Sequence, residues 1–433
     1  MTDNNSKGYI FTGRLLLQSL FKRSFVPALL FACCASSLAQ TRDLDYFIQQ
    51  SVQNNPAIYE LRNQILQNEL DSQLIVAGNK WQVTGSGNAY YAPIVNGWGY
   101  DEVITNGQQL SALVALNKHI YNKRNLSLQF ESLQLQNDSI NNTIAINNQD
   151  LKKSIISQYI TTYGDQLQLG INDEVIQLLS NEEKILKILT QKNVYKQADY
   201  LSFLVTLQQQ QLARNQLQVQ YKMDYDSLNY LAGIVDTSTA TLDAPDLRVI
   251  PNLNAKESPF FLSYNLDSLR IENERSLAEV QYRPKVNLFA DAGYQSAFQV
   301  TPYKNFGYSF GINLTVPIFD GGQKQLAFKK LDLRKNTLQR KRDFFTNQYE
   351  QQLQQLQQQL NELKGLSTSI NKQINYLETL IKVNGKLLET GDIRIADYVL
   401  ALNNYITAKN LVVQNQIAQY QVIQQLNYWN MNL

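Results

Sequence analysis

The chain of 433 residues has few residues suited to catalysis or metal binding, with one histidine, two cysteines and three methionines. Both cysteines, Cys33 and Cys34, lie in a predicted signal peptide, so the mature chain can form neither a disulfide nor a thiolate metal site. A glycine-rich phosphate loop is missing, and His119 is interpreted as an ordinary polar residue rather than a lone ligand. We therefore predict that the protein is not an enzyme and has neither a cofactor nor a metal site.

An excess of positive charge is also missing. The chain contains 39 Lys and Arg and 37 Asp and Glu, and removing residues 1–39 leaves 35 basic and 36 acidic residues, because that region holds four of the former and one of the latter. Nucleic-acid binding depends on clustered Lys and Arg. Nucleic acid is therefore not expected as a partner.

The N-terminal region has an apolar run, Phe25–Ala35, that is about half of the roughly 20 residues needed by a transmembrane helix. The run follows two basic residues and precedes the small-residue sequence Ser37–Ala39, which is typical of a secretory signal. We predict a signal peptide at residues 1–39 in preference to a membrane anchor. Lipid attachment at Cys33 stays open, although the bulky Phe31 does not suit a lipobox.

Glycine and proline are infrequent, at 19 and 9 residues, which favours a few long helices. A search for internal similarity finds that Tyr195–Leu201 recurs as Ile393–Val399, displaced by 198 positions. At the same displacement Leu116–Asn122 falls on Leu314–Asp320. The chain is therefore predicted to have an internal two-fold repeat, each half with a helix, a β-hairpin, a long helix and a return helix.

The predicted boundaries are two repeats at 40–235 and 258–433, two hairpins at 80–122 and 285–319, and a linker at 236–257. The linker is rich in Thr, Ser, Asp and Pro, which indicates an irregular connection. Each repeat is expected to begin with a helix that has Pro56 or Pro259 in its first turn. Proline has no N–H group, but an N–H in the first turn would have no acceptor within the helix, so no hydrogen bond is lost.

The long helix of the second half is predicted from Gln323 to Glu389. Its apolar residues step mainly by three and four, as in a coiled-coil seam: Phe345, Tyr349, Leu353, Leu356, Leu360, Leu363, Ile370, Ile374, Leu377 and Ile381. Unbroken, the helix extends about 100 Å, too long to fold back into a globule. The Gln-rich stretch Gln351–Gln359 suits either an ordinary solvated face or the lining of an aqueous duct.

Between the helices the apolar residues recur with a period of two. One predicted strand has a wholly apolar face made of Phe306, Tyr308, Phe310, Ile312, Leu314, Val316 and Ile318. Val286–Tyr294 alternates similarly, with a turn near Thr301–Asn305, and Trp81–Tyr91 and Leu110–Ile120 match in the first half, where Lys118 interrupts the apolar face. Strands of roughly 10 residues suit a tilted bilayer crossing better than a globular sheet. A soluble sheet packed on helices is the alternative.

Four strands cannot close a barrel, since the narrowest known barrels need about eight. An open edge in hydrocarbon leaves backbone groups unsatisfied, so membrane strands require the chain to oligomerise. Two copies give a barrel filled by side chains, whereas three give twelve strands and room for a pore. The predicted fold is mainly α-helical, with long antiparallel coiled-coil helices and a β-barrel completed in a trimer.

Several motifs occur in a fixed order: Asn54–Pro56, Arg283–Leu288, Gly293-Tyr294, Val316–Gly322, and Gly391 with Asp397 six positions later. In this order, over about residues 43–430, the chain resembles the TolC-like outer membrane efflux proteins. Each motif alone is weak, but the combination is specific. The resemblance implies a homotrimer with a 12-stranded barrel in outer membrane lipid and a tunnel of twelve helices in the periplasm, which docks to a periplasmic adaptor protein and an inner-membrane pump.

The resemblance places Tyr195–Leu201 and Ile393–Val399 at the periplasmic tip. Gly391 is expected to permit a tight helix-to-helix turn that faces the adaptor. Asp397, and Asp199 at the equivalent position, are predicted near the aperture, where three copies of a carboxylate form an anionic ring that favours cations. Capping of the following helix is the alternative role of both aspartates.

The chain departs from the family pattern in three places. Leu400 replaces a second acidic residue of some members, which puts a doubled acidic ring in doubt. Asn122–Arg124 stands where the second half has Asp320–Gly322, so the two strand-to-helix junctions are expected to differ. Asn193 replaces the glycine found at Gly391, and asparagine is the next best residue for a left-handed cap.

The predicted function is a passive exit duct of an efflux or type I secretion system, located in the outer membrane and extending into the periplasm. The alternative is a secreted coiled-coil structural or adhesive protein without a pore, soluble without detergent. The sequence leaves open the exported substrate, the pump class, lipidation of Cys33, and whether Asp397 gates the aperture or caps a helix.

Overall fold

The computed structural model describes residues 41–101, 103, 107–120, 123–251, 258–297 and 302–431. The predicted signal peptide with Cys33, part of the predicted linker (252–257) and Asn122 lie outside the described residues. The predictions for these residues, and the domain boundaries, stay predictions.

Long helices dominate the described part of the chain: α1 (Leu44–Asn54), α2 (Pro56–Gly78), α3 (Lys123–Gln191), α4 (Gln197–Ala232), α5 (Pro259–Gln281), α6 (Gln323–Thr390) and α7 (Ile395–Trp429). Pro56 and Pro259 are the first residues of α2 and α5, as predicted. The first half, however, begins with the unpredicted helix α1, whose N-cap Asp43 accepts a hydrogen bond from the Tyr46 N–H at 2.9 Å. In the described residues, no helix has both the length and the apolar character required to traverse a bilayer.

Helix α6 confirms the predicted coiled-coil seam. It contains 68 residues, which corresponds to about 100 Å, and its end at Thr390 is one residue beyond the prediction. Six seam residues are buried: Tyr349, Leu356, Leu360, Ile370, Ile374 and Ile381. Leu356 and Leu360 pack against Val422 and Leu426 of α7, so the seam holds the return helix against the long one.

The two helical hairpins, α3–α4 and α6–α7, share one core near their turns. Its buried members come from all four helices and include Leu179, Leu186, Phe203, Ile381, Leu388, Tyr398 and Leu402. Several of these side chains are fully buried, among them Phe203 and Leu388. Burial of such side chains stabilises the packing by roughly 1.5–3 kcal/mol each, so the hairpins pack side by side as one unit.

The irregular segment 234–251 packs across the middle of α3. The hydroxyl of the fully buried Tyr159 lies 2.7 Å from the carbonyl oxygen of Asp243 and 3.1 Å from that of Arg42. Arg42 in turn forms an ion pair with Asp236 at 2.9 Å. These bonds satisfy polar groups that neither helix nor sheet pairs, and they fix both the N-terminal end of the described chain and this segment against α3.

Four antiparallel strands form one sheet in the order of the chain: β1 (Gln82–Tyr91), β2 (Gln108–Ile120), β3 (Lys285–Ser296) and β4 (Phe306–Thr315). Val114 lies opposite Ala292, which lies opposite Tyr308, so the apolar residues of neighbouring strands share a face. On the other face, Ser309 donates a hydrogen bond to Asp291 at 2.6 Å. The predicted alternation is therefore confirmed, with an apolar face and a polar face.

The predicted end of β4 is wrong by three residues. The alternation was expected to reach Ile318, but the strand ends at Thr315. Pro317 has no N–H to donate to a neighbouring strand, which explains the earlier end.

The apolar face of the sheet is unpartnered. Phe306, Tyr308, Phe310, Ile312 and Leu314 of β4 are between 61% and 82% exposed. Neither β1 nor β4 pairs with a further strand among the described residues, so the sheet has two open edges. Both features are unfavourable for an isolated chain in water.

Candidate functional site at the helical turns

The turn between α6 and α7 depends on Gly391. This residue has φ 83°, in the left-handed region, and the following Asp392 donates its N–H to the Leu387 carbonyl at 2.8 Å. These are the features of a Schellman C-cap, for which glycine is favoured. A Cβ at Gly391 would also lie 2.7 Å from Cγ1 of Val194. The prediction that Gly391 permits a tight turn is therefore confirmed.

The turn between α3 and α4 has the same geometry with a different residue. Asn193 has φ 59°, and Val194 donates its N–H to the Leu189 carbonyl at 3.0 Å. The left-handed conformation expected for Asn193 is thus confirmed.

The structure brings the two turns into contact. The Tyr195 hydroxyl lies 3.0 Å from the Leu388 carbonyl oxygen and 2.9 Å from that of Ile393, one on each side of Gly391. Burial raises the pKa of Tyr195, so the hydroxyl stays a donor. The first turn therefore holds the second through a tyrosine side chain as well as through the Val194–Gly391 contact.

Asp199 and Asp397 occupy the third helical position of α4 and α7. The alternative that they cap these helices is wrong, because the N-cap residues are Lys196 and Arg394, and neither forms a side-chain capping bond. A carboxylate in the first turn still interacts favourably with the helix dipole.

The two aspartates differ in their partners. Arg394 donates two hydrogen bonds to Asp397, at 2.8 and 2.9 Å, whereas Asp199 has no ion pair in the part of the chain that the structure describes. Asp199 instead lines a surface groove shared with Ile395 and Leu400 of α7. The negative charge of Asp397 is thus partly neutralised, and that of Asp199 is not.

Sequence reasoning missed a polar network that joins the two hairpins above the turns. The Tyr405 hydroxyl of α7 donates to Glu174 of α3 at 2.7 Å, and Lys409 lies 3.7 Å from Glu174 and 3.8 Å from Glu378 of α6. Burial and the neighbouring carboxylate raise the pKa of Tyr405. The Tyr405 and Glu174 partners are 231 positions apart in the chain, and no local pattern indicates such a contact.

Burial also raises the pKa of Glu182, a half-buried α3 residue near the turns, and the nearby charge of Glu389 raises it further. Its side chain lies close to Gly385 of α6, where an added Cβ would be 3.4 Å from Oε1. This crowding between α3 and α6 leaves the carboxyl group desolvated.

His119 lies at the end of β2, opposite Asn287. Within the described ranges, no group of three or more His, Cys, Asp or Glu is arranged to hold a metal ion.

Comparison with family models and with curated proteins gives no match. Solved structures do match. The outer-membrane channel OprN is 14% identical, with 90% of each chain covered and a TM-score of 0.72. VceC, an outer membrane protein from Vibrio cholerae, is 11% identical over 90% of this chain and 96% of its own, with a TM-score of 0.72.

The open state of the MtrE outer membrane channel of Neisseria gonorrhoeae is 10% identical over 90% of this chain and 88% of its own, with a TM-score of 0.70. At such low identity the likeness concerns the fold. The chain therefore has the fold of the TolC-like outer membrane channels.

Proposed function

We propose that the protein is an outer membrane channel, the passive exit duct of a tripartite efflux or type I secretion system. Three copies contribute four strands each to a 12-stranded barrel, and their long helices form a tunnel in the periplasm. The solved structures of similar fold are outer membrane channels, which supports this assignment.

The observation that carries the proposal is the combination of an exposed apolar face with two open edges in one sheet. In a closed trimeric barrel, β4 of each copy pairs with β1 of the next, which removes both edges. The apolar face then contacts lipid, and the polar face with Asp291 and Ser309 lines the pore.

The orientation of the helices follows from the sheet. α2, α3, α5 and α6 all join the same end of the four strands. With the sheet in the membrane, α6 carries its turn about 100 Å away from it. The turns with Gly391, Asp199 and Asp397 then form the periplasmic tip, which docks an adaptor and an inner-membrane pump and contains the aperture.

The test is conductance of the detergent-purified protein in a planar bilayer, with its oligomer mass determined on the same preparation. We expect a trimer that gives discrete channel steps. A protein that is soluble without detergent and gives no steps would refute the channel and favour the coiled-coil structural protein.

A matched pair of variants sharpens this test. Ile312→Lys places a charge on the apolar face, where the barrel model predicts a cost of roughly 2–4 kcal/mol and loss from the outer membrane fraction. Asn313→Lys places the same charge one position along the strand, on the polar face, and should keep the membrane location while lowering cation selectivity. Equal fractionation of the two variants would contradict the assignment of faces.

A further inference from the structure

The two ends of the sheet differ in charge. The described residues of the strand-to-helix junctions, 79–82, 117–120, 123–125, 282–286 and 319–331, contain nine Lys and Arg and one acidic residue, Asp320. These cations form what we call the basic rim: Lys80, Lys118, Lys123, Arg124, Arg283, Lys285, Lys324, Lys329 and Lys330. The described loop residues at the opposite end, within 92–101 and 302–305, contain Asp101 and Lys304. In a chain with nearly balanced charge, this concentration of cations at one end of a sheet is a specific feature.

Lys118 shows how the rim joins the apolar face. It lies opposite Leu288 in the β2–β3 register, on the face that carries Leu116 and Ile120. Its ammonium group lies 5.4 Å from the ring centroid of Trp81, which is half exposed on the same face. A lysine over a tryptophan at the border of an apolar surface is the arrangement of a side chain at a membrane–water interface.

Most of the rim cations form no ion pair with a carboxylate among the described residues. Asp320 accepts hydrogen bonds from the backbone N–H groups of Gly322 and Lys324, both at 2.8 Å. The ion pair between α5 and α6 nearest to the sheet joins Arg275 and Asp332, and neither residue belongs to the basic rim. In the portion of the chain with described coordinates, no carboxylate forms an ion pair with Lys80, Lys118, Lys123, Arg283, Lys285, Lys329 or Lys330.

We propose that the basic rim binds the phosphate groups of anionic phospholipids, with phosphatidylglycerol of the leaflet on the helix side as the ligand. The inference rests on the proposed function, because it requires the apolar face to lie in a bilayer. Lipid headgroups are the anions found along the border of such a face, and each Lys or Arg near an anionic surface adds to the attraction. The rim would then fix the depth of the barrel and favour a bilayer that contains this lipid.

The experiment compares the full-length protein in vesicles of phosphatidylcholine alone and of phosphatidylcholine with phosphatidylglycerol. The readouts are the phosphatidylglycerol retained by the purified protein, measured by mass spectrometry, and channel conductance of the same samples. The test variant is Lys80→Gln/Lys118→Gln/Lys123→Gln. The matched control, Lys364→Gln/Lys372→Gln/Lys382→Gln, removes equal charge from exposed positions of α6 far from the sheet.

We expect the rim variant to lose the preference for phosphatidylglycerol by roughly tenfold or more, and the control to keep it. The charge-preserving variant Lys80→Arg/Lys118→Arg/Lys123→Arg should also keep it, which separates loss of charge from misfolding. An equal preference for phosphatidylglycerol in the rim and control variants would overturn the proposal. Whichever way the lipid preference changes, normal conductance of the variants supports the channel function. A wild-type protein that gives no channel steps would contradict both the channel function and this proposal.

Discussion

The two helical hairpins end in turns with the same backbone geometry but different side-chain contacts. Asn193 and Gly391 both adopt the left-handed conformation and start equivalent Schellman caps. Tyr195 of the first turn bonds to the second, whereas Ile393, which is 198 positions on, has no hydroxyl to return the bond. Backbone geometry thus needs only a residue that tolerates positive φ, and the neighbouring side chains make the turns different.

The hairpins differ again at mid-length. Asp165 of α3 lies close to Asp224 of α4. At the displacement of 198 positions, α6 and α7 have Leu363 and Val422 instead, which share an apolar cluster. Burial first, and then the Asp224 hydrogen bond and charge, raise the pKa of Asp165 to about 7. The first hairpin therefore contains a proton-dependent contact where the second has apolar packing.

The largest effect is expected from a substitution that changes the backbone geometry of one turn and leaves the other turn as it is. Gly391→Val should penalise the left-handed conformation by roughly 1–2 kcal/mol and adds the clash with Val194. Under the proposed function, we expect export to fall more than trimer assembly, since the turn lies far from the sheet. Hydrogen exchange of residues 387–395 should be at least roughly tenfold faster.

The control for this variant is Gly365→Val, because an added Cβ at Gly365 meets nothing within 4 Å. It makes the same Gly-to-Val change in the interior of α6, where it causes no strain in the turn. Equal losses of export and assembly in Gly391→Val, or equal exchange in both variants, would refute the role of the turn.

The next effect concerns the carboxyl pair of the first hairpin. The folded-state pKa of Asp165, about 7, lies above its ordinary value of 3.8, so the folded protein binds a proton that the unfolded chain releases. The resulting stability is full below about pH 4, is lost as the pH rises to about 7, and does not return above it. Because the group is partly exposed to solvent, we expect about 1–2 kcal/mol.

Hydrogen exchange of α3 and α4 at pH 5 and pH 8 measures this effect. Asp165→Leu/Asp224→Val copies the apolar pair of the second hairpin and should remove the pH dependence, with stability kept or raised. A pH dependence that persists in this variant would assign it to another group.

The sequence carries enough information for the elements and too little for the site. Apolar residues spaced by three and four located the α6 seam and the end of the helix to within one residue. Apolar residues spaced by two located the two faces of the sheet. Both patterns are visible in the sequence because one face of each element is apolar along its whole length. The turn residues Asn193 and Gly391 were also predictable, since few residues tolerate positive φ. The Tyr195 bond, the Arg394–Asp397 pair and the Tyr405–Glu174 contact were not, because they depend on helix rotation and on packing between distant segments.

A smaller effect tests the contact between the turns. Tyr195→Phe removes the hydroxyl that bonds to Leu388 and Ile393 and should destabilise the turns by about 1 kcal/mol. Exchange of the amides in both turns should be faster, although neither cap is altered. Tyr376→Phe is the control, since Tyr376 is an exposed residue of α6. If the two variants exchange alike, the hydroxyl contact does not couple the turns.

The last prediction compares Asp199 with Asp397. Substitutions at these positions should have the smallest effect on stability but a clear effect on cation selectivity. Arg394 is largely exposed, so loss of its pair with Asp397 should change the stability of the protein very little. Because Arg394 offsets the charge of Asp397, Asp199→Asn should lower cation selectivity more than Asp397→Asn does, and Arg394→Gln should raise it. Reversal potentials under a salt gradient in planar bilayers give the comparison. If Asp397→Asn has the larger effect, the ion pair does not persist at the proposed aperture. If neither variant changes the potential, both carboxylates act only in the first turns of their helices.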